Sequence, residues 1–397
     1  MKRKRAKKEK ETTGRKTDLS PEGILRLMGE EDRPLLVKEM LRLLDLPKEE
    51  LDRRLEEAFN HPDIKYNSKW YGLLKYPSTL PLAFDILLSS FHPVRREPFP
   101  FDKIKIPTYM STPWSTRIYT WNTFETWENI GCERKKLMLW PAAYPDRPFV
   151  QYADETARWH DYWLKGIDTG IMDEPPIKLF VMGINKWRFE NEWPLARTDW
   201  RKFYLHPKCR ISTGRPETDE TDSFTQPAPY VDPTVYCLRY STEPFEEDLE
   251  ITGPIALYLE ASIDHDDTNW MADLVDVDPE GKRTLLTNGY LKAAHRALDE
   301  EKSKPYLPVH PRREPVPVPK GKPVEYAISL MAVSNVFQKG HSMELIIRNQ
   351  DDLLCKQGIW GVYMLPFMHR VTHVIHYGRS HLLLPVVPAS GIPHRRT

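Results

Sequence analysis

The sequence predicts an α/β plus all-β protein, in which a few strands and helices alternate before residue 200 and a β-sandwich of the jelly-roll type follows. Two patterns carry this. After residue 249, apolar residues recur with period two between turn residues, as strands with one buried face require. Before residue 200, strand-like and helix-like runs take turns, which implies parallel strands joined by crossovers.

In chain order, residues 1–19 form a basic tail holding Lys2, Arg3, Lys4, Arg5, Lys7, Lys8 and Lys10 without apolar periodicity, so a solvated, disordered segment is expected. Residues 20–100 are expected to be helical. Ser20 and Pro21 suit an N-cap and a first helical position, and helices are expected over 33–44, 48–59 and 81–91 as well. Leu51, Leu55, Ala58 and Phe59 share one face of the third.

Residues 101–200 read as strand 104–110, helix 119–130, strand 136–140 and a helix over 152–165 that stops at Gly166. That is too few strands for a complete doubly wound sheet.

From 201 to 397 the strands multiply. Ile255, Leu257, Leu259 and Ala261 alternate with polar or small residues, and Trp270, Ala272 and Leu274 repeat the pattern. Asp278-Pro279-Glu280-Gly281 supplies a turn. Tyr326, Ile328, Leu330 and Ala332 alternate, as do Met343, Leu345 and Ile347, and runs at 371–377 and 382–388 close the series. Short strands at regular spacing suit a sandwich. Residues 309–323, rich in proline, read as an extended loop.

Composition narrows the function classes. Lysine plus arginine and aspartate plus glutamate number 57 each, so no net field draws the chain to nucleic acid or to a membrane. No apolar run approaches the roughly 20 residues of a spanning helix, and the cytoplasm is the expected location. Cys132, Cys209, Cys237 and Cys355 form no CxxC pair and read as free thiols. Asp264-His265-Asp266-Asp267 lacks the spacing of a calcium loop. His369, His373 and His376 suit zinc only on a helix, and the β-branched residues around them favour a strand. Neither a metal nor a cofactor is expected.

From residue 201 onward the chain resembles the C-terminal jelly-roll domain of the X-prolyl dipeptidyl peptidase and CocE/NonD hydrolase family. The resemblance rests on Ile251-Thr252-Gly253-Pro254, the run from Trp270 through Asp276 to Val277, Asn288-Gly289-Tyr290-Leu291, Phe337-Gln338-Lys339-Gly340-His341 and Leu384-Pro385. The run Trp159-His160-Asp161-Tyr162-Trp163 to Pro175-Pro176 and then Leu179 to Gly183, continued by Trp187 and Trp193-Pro194, is similar to the family's exit from its catalytic domain. The resemblance implies a helical cap at 20–100, the C-terminal part of an α/β-hydrolase domain at 101–200, and a galactose-binding-like jelly roll at 201–397.

It also implies serine hydrolase chemistry on esters or amides, with Ser, Asp and His in that chain order. The residues depart from this. The strained elbow that exposes a nucleophilic serine needs Gly-x-Ser-x-Gly, and no such string occurs; Gly340-His341-Ser342-Met343-Glu344 is the nearest. In Thr112-Pro113-Trp114-Ser115-Thr116, Thr116 occupies the place of the family's acid. In Trp140-Pro141-Ala142-Ala143-Tyr144, Tyr144 occupies the place of its histidine. A threonine cannot hold the charge that orients an imidazolium, and a phenol with a pKa near about 10 is a poor base at neutral pH.

A displaced pair from Asp146, His160 and Asp161 would still lack a nucleophile. Trp114, Trp140 and Tyr144 are candidate binding residues. The expectation is a C-terminal part of such a hydrolase, inactive alone, with a partner chain carrying the missing half or a second copy of itself, and an ester, amide or peptide ligand. The alternative is a non-catalytic binding or assembly subunit that uses the jelly roll.

Overall fold

The computed structural model describes residues 99–114, 117–141, 153–311, 315–351 and 367–388, with the single positions 47, 49, 53, 56, 60 and 65. The sequence-predicted tail and the four predicted helices before residue 92 fall outside these, apart from Glu49, Arg53 and Glu56 of the third, which are helical, as are Asn60 and Lys65 beyond its expected end. All further elements belong to one compact unit over 94–397.

Four strands build a small mixed sheet: β1 (Thr108–Pro113), β2 (Lys135–Trp140), β3 (Ile177–Val181) and β4 (Lys186–Glu190), in that order. The first three are parallel and β4 turns back antiparallel on β3. The crossovers run through α1 (Arg117–Asn129) and α2 (Ala153–Lys165). Parallel pairing by crossover, expected from the alternation, is therefore present. The first strand sits further along than the expected 104–110. Ile106 is 71% exposed, and pairing begins only after Pro107, with the Thr108 N–H on the Arg134 carbonyl at 3.1 Å. At the far end Trp114 N–H reaches Trp140 O at 3.0 Å, so even-numbered residues face β2 and Pro113, which has no N–H, sits where none is needed.

The two faces of this sheet differ. Leu137, Leu139, Ile177, Leu179 and Val181 pack with Trp127 of α1. On the opposite face, α2 brings Glu155 to Tyr109 and Lys178.

The remaining strands are β5 (Asp199–His206), β6 (Arg210–Ser212), β7 (Thr221–Gln226), β8 (Cys237–Ser241), β9 (Leu249–Ile263), β10 (Asn269–Val277), β11 (Arg283–Lys292), β12 (Val324–Phe337), β13 (Ser342–Arg348) and β14 (Val371–Val387). They run in the order β5-β6-β8-β13-β10-β11-β12-β9-β14, and β14 pairs back onto β5, with β7 added along β14. From residue 99 onward the described residues form this closed nine-strand barrel, the small sheet and the helices α1 and α2, which corrects the expected architecture of a partial α/β-hydrolase domain with a helical cap and a two-sheet jelly roll. Period-two alternation fixes which face is buried. It does not say whether the outermost strands meet, and the closure rests on β5 bonding both β6 and β14.

The expected alternation holds inside the barrel, since Ile255, Leu257, Leu259, Ala261, Trp270, Ala272, Leu274, Met343, Leu345 and Ile347 all lie in its core. Its phase flips twice. In β12 the inward residues are Tyr326, Ile328 and Leu330, then Val333 and Phe337, across an irregularity between Leu330 and Val333. In β14 they are Val371, Ile375 and Tyr377, then Leu382, Leu384 and Val386. Against β9 the irregularity adds one residue in β12 and three in β14, and an odd number exchanges the faces of everything after it.

The β12 bulge also joins the barrel to the small sheet. Ala332, expected to face inward with Leu330, instead packs with Val336 against the Trp114, Leu137 and Leu179 cluster. Just past β3, Met182 pairs with Asn335, donating to Ser334 O and accepting from the Val336 N–H, both at 3.0 Å. Gly183, at φ +81°, follows; a Cβ there would lie 2.2 Å from Val336 O, so only glycine lets the strands approach.

Candidate functional site

Beside this joint lies a cavity of about 600 Å³, within the usual size range of small-molecule sites. Its floor is Pro254 with Leu330, Met331 and Ala332, the stretch that bulges out of β12. One wall is α1, presenting Trp121 and Phe124. Trp127, further along the helix, turns instead into the sheet core. The helix is anchored at both ends: Thr120 Oγ1 donates to Pro113 O at 2.8 Å, and Lys135 Nζ donates to Trp127 O at 2.5 Å. Phe124 stacks on Trp193 with ring centres 4.7 Å apart and planes 14° apart.

The far wall is the loop 301–309. It is held rigidly, with Tyr258 OH donating to Pro305 O at 2.8 Å and Ser329 Oγ to Pro308 O at 3.0 Å. His310 places its ring nitrogens 3.0 and 2.8 Å from the carbonyls of Ala297 and Ala327. Tyr306 stacks flat on Trp200, 4.3 Å away. Carboxylates mark the rim at Asp102, Glu125, Glu128 and Glu301, with Lys302 and Lys304 on the loop side.

The candidate residues named from the sequence lie elsewhere. Trp114 is fully buried behind Trp193, 6.1 Å between ring centres, and its indole N–H donates to Phe180 O at 2.7 Å. Trp140 is buried at the end of β2, in register with Pro113. Neither lines the cavity. Thr116 and Tyr144 lie outside the described residues. The strands that precede them are parallel neighbours ending together, so both segments leave the sheet from adjacent strand ends. Asp146 also lies outside the described residues. His160 is exposed, with Nδ1 2.8 Å from Thr156 O, and Asp161 pairs with Lys165 at 2.7 Å.

The other clusters are engaged internally. His341 Nδ1 lies 2.8 Å from Asp276 Oδ1, which ties the turn before β13 to β10. Asp264 accepts the Thr372 N–H at 2.8 Å and pairs with Arg370, while Asp267 accepts the Ala294 N–H and pairs with Lys292 at 3.0 Å. His373 is buried in the barrel, stacked on Phe224 and bonded to Thr268 Oγ1 at 2.8 Å, whereas His376 is only half-buried. Burial pushes the His373 imidazole down to about 3, so it is neutral at physiological pH.

Among the described residues, two serine–histidine contacts occur, Ser212 with His206 at 2.7 Å and Ser262 with His376 at 3.2 Å. Among the described residues, neither ring has a carboxylate bonded to Nδ1, so neither forms a triad.

Under α2 the charges form a network. Tyr109 OH donates to Glu155 Oε1 at 2.7 Å, Lys178 Nζ to Oε2 at 2.9 Å, and Arg158 links Glu155 to Glu174. Burial would raise the Glu155 carboxyl, yet the hydrogen bonds from Tyr109 and Lys178 outweigh it and hold the group below its ordinary range. Lys136, buried with Nζ on Ile171 O at 2.5 Å, is pushed down by burial despite Glu174. Each of these charges has an opposite charge beside it, so the network serves as a fastening.

Sequence reasoning missed the cavity because its walls come from six segments far apart in the chain. One signal was present: Trp121 and Phe124 three apart on a predicted helix, with Trp127 again three further, is more aromatic surface than one sheet face absorbs.

Comparison with known proteins fits this geometry. Residues 169–356 match the family described as the X-Pro dipeptidyl-peptidase C-terminal non-catalytic domain. A cocaine esterase from Rhodococcus sp. is 28% identical over 267 residues, which cover 57% of this chain and 44% of that protein. A CocE/NonD family hydrolase from Staphylococcus aureus superposes with a TM-score of 0.67 at 19% identity, over 80% of this chain and 62% of that one. An aminopeptidase from a marine-sediment Thaumarchaeota archaeon gives 0.58 at 15%, over 81% and 60%. These last two likenesses are of fold. The chain spans less than half the length of the curated relatives it matches. Residues 169–356 thus match the X-Pro dipeptidyl-peptidase C-terminal domain, and the chain around them is similar to CocE/NonD-type hydrolases.

Proposed function

We propose that this chain is the C-terminal, non-catalytic part of a serine hydrolase of esters or amides, and that it has no hydrolytic activity by itself. The observation that carries the reading is the joint. A domain matched as non-catalytic is fused, through Met182 and the Ala332–Val336 bulge, to parallel strands that lead toward positions 116 and 144. Its role is then to hold those strand ends fixed beside a nucleophile-bearing segment. The absence of Gly-x-Ser-x-Gly from the 397 residues supports this, as do threonine and tyrosine where the family's acid and base would stand.

The test is labelling of the purified chain with a fluorophosphonate probe, alone and with a second chain supplying strand, Gly-x-Ser-x-Gly and helix. No labelling alone is expected. Stoichiometric labelling of one serine in the isolated chain would sink the reading.

A further inference from the structure

We propose that the cavity between α1 and the barrel is a binding site for an aromatic or branched-alkyl amine in its protonated form. The wall of the cavity is apolar and aromatic. Trp121 is 38% exposed and Phe99 51% exposed, both on the cavity, and Phe124 and Trp193 are stacked beside them. Aromatic surface of this extent, gathered in one concave place, suits a ligand that brings its own apolar body.

Charge selects the ligand's sign. Among the described residues, the α1 side of the cavity carries Asp102, Glu125 and Glu128 and no lysine or arginine. Glu128 lies near Lys135, whereas Glu125 and Asp102 form no ion pair among the described residues. The two lysines sit across the cavity, on the loop, where Lys304 Nζ lies 5.8 Å from the centre of the Tyr306 ring. Glu125 stands one helical turn from the exposed Trp121 on this wall, so an ammonium there is favoured by ion pairing with the carboxylate and by cation–π attraction to the indole. An anion would meet repulsion from both.

The site is independent of hydrolysis and stands whether or not the chain has a catalytic partner. Calorimetric titration of the full chain with tryptamine and with indole-3-propionate, which share a ring and differ in charge, tests it. Tryptamine should bind saturably and at least about tenfold more tightly than the acid. Trp121→Ala should weaken tryptamine about tenfold, and Glu125→Gln about threefold to fivefold, the latter with no loss for indole-3-propionate. Both side chains are exposed, so both variants should melt like the parent protein. Equal affinity for the two probes, no saturable binding of tryptamine, or binding indifferent to both substitutions would overturn the proposal.

Discussion

The barrel bonds its own outermost strands to one another, whereas β1 of the small sheet is hydrogen-bonded to another strand on one side only among the described residues. Their cores differ in the same sense. The barrel buries an apolar interior drawn from its own strands, headed by Trp270, Tyr326 and Phe337. The small sheet borrows Ala332 and Val336 from the barrel on one face and relies on the Glu155 network on the other. A self-sufficient module thus supports a dependent one, and the support passes through a few residues at the β12 bulge.

The sharpest way to break this comparison is at the barrel core. Trp270→Ala should cost about 4 kcal/mol, as the loss of a large buried aromatic does, and should unfold barrel and sheet together in a urea titration followed by fluorescence and far-UV circular dichroism. If the small sheet stayed folded after the barrel had melted, the dependence would run the other way.

Gly183→Ala attacks the joint. The added methyl must clear Val336 O while the backbone keeps a left-handed conformation, a cost of about 3 kcal/mol. Hydrogen exchange should quicken at the Met182 and Val336 amides and through β1–β3, with β10 and β13 still protected. Uniform loss of protection would mean that the two parts have no separate stability.

Glu155→Gln should cost about 2 kcal/mol, because Lys178 and Arg158 then lose a buried counter-charge. The effect should again appear in the small sheet alone. The charge of Glu155 stabilises the fold above the unfolded carboxylate range, near about pH 4.3, and that contribution fades as pH falls.

A further effect, smallest near neutral pH and growing with acid, belongs to the barrel. His373 is neutral when folded and takes a proton more readily when unfolded. Below about pH 6.5 the unfolded chain therefore binds the extra proton, and stability should fall by about 1.4 kcal/mol per pH unit as the medium is acidified toward pH 3. Comparison of His373→Gln with the parent protein across that window isolates this slope; parallel curves would place a charged imidazole in the core.

The strands were legible from the sequence because a half-buried strand writes its inward face as period two, as Ile255 to Ala261 and Met343 to Ile347 do. Helices α1 and α2 emerged within two residues of their expected ends. Closure of the barrel was not legible, since it depends on β5 meeting β14 across nearly two hundred residues. The phase reversals at Leu330–Val333 and His376–His381 were hidden for a related reason: a bulge has no residue signature of its own. The cavity was missed because strand-end tryptophans drew attention to Trp114 and Trp140, which the packing takes for itself, while its walls at Phe124, Trp193 and Tyr306 meet only through the fold.

One kinetic measurement bears on the central claim. The purified chain, at micromolar concentration, is mixed with a p-nitrophenyl ester and the first turnover is followed by stopped flow. The account expects no burst and a steady release no faster than in buffer with an unrelated protein. A burst equal to the chain concentration, with the acyl group located on a serine by mass spectrometry, would contradict it.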